Sequence, residues 1–72
     1  MLMAAVVLRV REDSLLVRNL RSGQEVVVFV SNPQCFSAGD RVLIRTSGIM
    51  TLSIPPQTTA LFIRRIGRNC RC

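Results

Sequence analysis

Apolar positions in this chain come in short runs that recur about every 10 residues, separated by clusters of Gly, Pro, Asn, Asp and Ser. No run shows the period of an amphipathic helix. The first predicts a strand over residues 4–11. Ala4, Val6, Leu8 and Val10 share one of its faces, and Ala5, Val7, Arg9 and Arg11 share the other. Charge assigns the arginine-bearing face to solvent. Glu12-Asp13-Ser14 forms a turn, because short polar side chains bond their own backbone. A second strand follows over 15–19, then the turn Arg21-Ser22-Gly23-Gln24, then a third strand over 25–30. This third run is apolar on both faces, with Val26, Val28 and Val30 against Val27 and Phe29. Such a strand is either central in its sheet or covered by a partner on its outer face.

Ser31-Asn32-Pro33-Gln34 breaks the pattern, and the segment from Ser31 to Ala38 has room for a single helical turn at most. A Gly39-Asp40 corner delivers a fourth strand over 41–46, with Val42 and Ile44 inward. Residues 49–54 read as a short irregular strand ended by Pro55-Pro56, which lack the amide donors a central strand needs. The last strand spans about 57–66. Residues 67–72 form a flexible basic tail that carries two cysteines. So few strands cannot cover each other as two sheets, whereas one twisted sheet closed on itself buries one face and removes its edges. The expectation is a single domain over 1–66. Its fold class is all-β, a five-stranded antiparallel small barrel like the oligonucleotide/oligosaccharide-binding (OB) barrel, with little or no helix.

Composition narrows the function. Valine, isoleucine and threonine supply 18 of the 72 residues, which agrees with strands. The ten basic residues are all arginine, against four acids and no histidine, for a net charge of +6. Without histidine there is no Ser/His/Asp or Cys/His set, and no glycine-rich phosphate loop is present, so the sequence reads as a non-enzyme with no cofactor. The adjacent Glu12 and Asp13 diverge, and Asp40 belongs to its corner as a turn-former. No apolar run reaches the roughly 20 residues of a membrane span, and no basic start with a cleavage site precedes the first strand. An odd count of three cysteines suits a reducing compartment, so the expected location is the cytoplasm, with no membrane partner.

Gly39-Asp40-Arg41-Val42, the turn glycine Gly48, and Ser53-Ile54-Pro55-Pro56-Gln57-Thr58-Thr59-Ala60 together resemble a family of small bacterial OB-like domains. That family carries a Gly-Asp-x-Val strand, a glycine turn and a Pro-x-Gln-x-x-Ala segment entering its last strand. The match covers about a third of the chain. It implies the fold and no activity.

Three groups of residues carry candidate functions. Arg9, Arg11, Arg18, Arg41 and Arg45 all point outward from predicted strands and would form one basic face for phosphate. Arg64, Arg65, Arg68 and Arg71 add charge near the C-terminus. An arginine-only surface also fits a plain solvated exterior, and Glu12 and Asp13 flank the place where OB barrels bind strands. Only three aromatic rings are present: Phe36 plugs a barrel end, Phe62 can face either way, and Phe29 is the best candidate for an exposed ring. Val27 and Phe29, on the outer face of the third strand, are the second group, an interaction surface for a protein partner or a second copy. This reading leads, with low-specificity binding of single-stranded nucleic acid as the alternative. The third group is Cys35, Cys70 and Cys72, weak candidates for a metal or redox role, since three thiolates fall short of a four-ligand zinc site. Pro55-Pro56 either preorganises a recognition loop or seals a barrel end.

Overall fold

The computed structural model describes residues 2–48 and 50–66. Five strands make up the domain: β1 (Leu2–Val10), β2 (Ser14–Asn19), β3 (Glu25–Phe29), β4 (Arg41–Thr46) and β5 (Gln57–Arg65). They close into one barrel in the order β1-β2-β3-β5-β4. The expected small all-β barrel is therefore present. It is mixed rather than antiparallel throughout, because β3 and β5 run parallel over three residue pairs, from Val27↔Gln57 to Phe29↔Thr59. Joining β3 to its parallel neighbour requires a crossover, and the chain makes it through β4. Between β3 and β4 the only helical element among the described residues is one 3-10 turn, Pro33–Cys35.

Met3, Ala5, Val7, Leu15, Val17, Val26, Val28, Val42 and Ile44 fill the interior, and Phe36 closes one end. Alternation delivers most of them, but the first strand corrects the sequence reading. Ala5 and Val7 face inward and Ala4 outward. Arg9 still reaches solvent because Leu8 is an extra residue: Val7 pairs with Val17, and Arg9 pairs with the next residue, Leu16. A one-residue bulge reverses the facing of everything beyond it.

Residues 50–56 also differ from expectation: no strand forms there. The connection from β4 to β5 is a bend tied by its own polar groups. The Thr51 amide donates to the Gln57 carbonyl (3.0 Å), and the Gln57 amide donates to Thr51 Oγ1 (3.0 Å). Ser53 Oγ lies 2.6 Å from Thr51 Oγ1 and donates to the Pro55 carbonyl at 3.2 Å. Pro56, which has no amide to give, instead accepts from the Val27 amide at 2.9 Å. The proline pair thereby extends the β3–β5 seam. The tail over 67–72 lies outside the described residues, and with it Cys70 and Cys72.

Candidate functional site

Strand register decides which outward side chains become neighbours. Leu2 of β1 lies opposite Arg45 of β4, and Arg45 lies opposite Phe62 of β5. One rung along, Ala4 faces Leu43, and Leu43 faces Arg64. One rung further, Val6 faces Arg41 on one side and Arg18 of β2 on the other. The β1–β4–β5 wall therefore interleaves arginines with apolar side chains. Leu2, Leu43, Arg45, Phe62 and Arg64 line a shallow depression in it.

Phe62 is 54% exposed. Its orientation follows from the strand: Phe62 and Arg64 are two residues apart, so they share a face, and the guanidinium requires solvent. Between the strands, Leu61 is an extra residue, since Arg45 pairs with Phe62 and Thr46 with Ala60. That bulge turns the middle of β5 outward. Phe62 and Arg64 are the residues the sequence reading passed over for this wall, although their spacing held the signal.

The five arginines named from sequence do not make one face. Arg41 and Arg45 stand on the wall with Arg64. Arg18 adjoins them across Val6 but pairs with Glu25 at 3.4 Å. Arg9 and Arg11 lie at the opposite end, where Arg11 opens the turn holding Glu12 and Asp13. Among the described residues the only other ion pair is Arg65–Asp40 at 3.1 Å, so no carboxylate meets Arg41, Arg45 or Arg64.

The outer face of β3 is also corrected. Val27 is only 5% exposed, although it is not part of the interior cluster. It sits between Leu16 and Gln57 on neighbouring strands, with the proline segment bonded to its amide. The chain's own β5 and its approach segment close off Val27. Phe29 is half-buried and lines a small depression with Ser47, Thr51, Gln57, Thr58 and Thr59. It is not the exposed ring.

Cys35 is half-buried at the end of the 3-10 turn, where Asn32 Nδ2 donates to its sulfur at 3.4 Å. Among the described residues no group of three His, Cys, Asp or Glu is arranged to hold a metal. No helix of the described residues is long and apolar enough to cross a membrane. No protein-family model, no curated protein and no solved structure matches the chain.

Proposed function

We propose that this chain is a non-enzymatic binding module of the OB type that takes single-stranded nucleic acid on its β1–β4–β5 wall. The strand order, with its parallel β3–β5 seam, supports the OB kinship, as does the resemblance carried by residues 39–60. The observation that carries the function is the exposed Phe62 ring set between Arg45 and Arg64, with no carboxylate of the described residues on the wall. A base stacks on the ring, and the guanidinium forks meet the flanking phosphates. The β2–β3 face, which OB barrels more often use, is poorer here: Arg18 is paired with Glu25, and the β1–β2 turn is acidic.

A second copy is a weaker partner for the same wall, because apposing it to itself sets arginine against arginine. An acidic protein surface is the second reading, favoured by the aliphatic Leu2 and Leu43 between the arginines. Anisotropy titration of labelled single-stranded DNA and RNA over a salt series separates these. Nucleic-acid binding gives a defined stoichiometry and a log–log salt slope of about −0.7 per neutralised phosphate. Binding no different from that of heparin, or none, removes the nucleic-acid reading.

A further inference from the structure

Three segments of the chain meet at one end of the barrel: the start of β1, the β2–β3 turn and the β4–β5 connection. The Leu20 amide donates to the Ala4 carbonyl at 2.9 Å, which ties the turn to β1. Gly23, Gln24 and Glu25 line a cleft whose other wall is residues 51–56. This end exposes an unusual amount of aliphatic side chain. Leu52 and Ile54 are fully exposed, at 101% and 97%, and Leu2 and Leu20 are more than half exposed.

The backbone beneath these side chains is fastened. Thr51 bonds both Ser53 and Gln57 within the segment that carries Leu52 and Ile54. Asn19 Oδ1 accepts the amides of Arg21 (2.8 Å) and Ser22 (3.2 Å) beside Leu20. Exposed apolar side chains on an ordered support mark an interaction site. Charge at this end is net positive among the described residues, since Glu25, which lines the cleft, is offset by Arg18. Arg21 and Arg45 lie here, while Glu12, Asp13 and Asp40 lie toward the other end.

We infer that this end docks on an anionic lipid surface, with Leu52 and Ile54 entering the headgroup–acyl boundary and Arg21 and Arg45 meeting lipid phosphates. Two observations select lipid. The apolar groups protrude, and a bilayer accepts a protruding aliphatic side chain without a matching pocket. They are branched aliphatics, not rings, and so offer no platform for a base. Positive charge beside them complements an anionic leaflet. Contact of this kind is peripheral, so the lack of a spanning run in the sequence does not bear on it. The docking end shares Leu2 and Arg45 with the wall but not its stacking ring, Phe62, and neither inference depends on the other.

The test is co-sedimentation with vesicles of phosphatidylcholine and phosphatidylglycerol in about a 2:1 ratio, and with phosphatidylcholine alone. The expected result is binding to the anionic vesicles that salt weakens, with little binding to the neutral ones. The double substitution Leu52→Ser and Ile54→Ser lowers partitioning by at least about tenfold. It leaves the urea midpoint and the affinity for single-stranded DNA unchanged. A Leu52→Trp variant carries the chain's sole tryptophan, whose emission shifts to the blue on anionic vesicles. Failure to bind anionic vesicles overturns the inference. So does equal partitioning of the double variant, which would leave arginine charge as the whole effect. Loss of DNA affinity in the double variant also overturns it, since the loop would then belong to a nucleic-acid site.

Discussion

Arg65 holds its guanidinium 5.8 Å from the centre of the Phe36 ring. From that position it pairs with Asp40 at 3.1 Å and donates to the Cys35 carbonyl at 2.6 Å. One side chain thereby latches the end of β5 to the β3–β4 connection, over the phenylalanine that closes the barrel. Asp40 is itself held, accepting the Ser37 amide at 2.8 Å. Replacing Arg65 with methionine keeps the stem but takes the guanidinium from the Asp40 carboxylate, which retains the Ser37 amide, and from the Cys35 carbonyl. The expected cost is about 2 kcal/mol, since the pair is largely but not wholly buried. Urea unfolding measures it, and an unchanged midpoint would mean that the latch contributes nothing net.

Of the two phenylalanines with exposed surface, only Phe62 stands among arginines that no acid of the described residues meets. Phe62→Ala weakens single-stranded DNA by about 1–3 kcal/mol, the usual worth of one stacked base. Phe29→Ala leaves the affinity within a factor of about two. Anisotropy at one salt concentration distinguishes them, and the reverse ranking would move the site to the β3–β5 side.

Charge on the wall is read best from salt dependence. Arg64→Ala reduces the magnitude of the log–log slope by about 0.7, the share of one neutralised phosphate. Arg11→Ala, in the turn with Glu12 and Asp13, leaves the slope as it was. Equal effects at both positions would indicate diffuse attraction by the net charge rather than a located site.

Val27→Lys tests the outer face of β3. With Val27 at 5% exposure, the ammonium has nowhere to go without displacing the proline segment or a neighbouring strand. The expected loss is about 3 kcal/mol or more, visible in thermal unfolding. A variant as stable as the parent, with only its sedimentation altered, would restore this face as an interface.

The sequence made the strands legible because each apolar run is short, rich in β-branched residues and bounded by turn formers. The two-sided apolar run from Val26 to Val30 left a central strand and a partner-covered face both open, and only the strand order, with β3 between β2 and β5, distinguishes them. Two things stayed hidden, and both are matters of register. Nothing in the hydrophobic pattern distinguishes Leu8 or Leu61 from its neighbours as the residue that bulges, yet these two set which face Arg9 and Phe62 present. The parallel β3–β5 seam was hidden as well, because local alternation looks the same whichever way the neighbouring strand runs. The wall was half legible: Arg41 and Arg45 came from alternation on β4, whereas their meeting with Phe62 and Arg64 depends on pairing between distant segments.

The bulge at Leu8 also bears on how this chain tolerates change in length. β1 carries one residue more than its ladder with β2 has rungs for. Deleting Leu8 would let Arg9 follow Val7 directly, still opposite Leu16, with every other side chain of the strand facing as it does now. Deleting Ala5 instead would carry Val6 and Leu8 to the inside and Val7 to the outside, so that larger side chains enter the places Ala5 and Val7 hold now. Shortening by one residue is thus a mild event at Leu8 and a more disruptive one at Ala5, three residues away, although each shortened chain loses one aliphatic residue from the same strand.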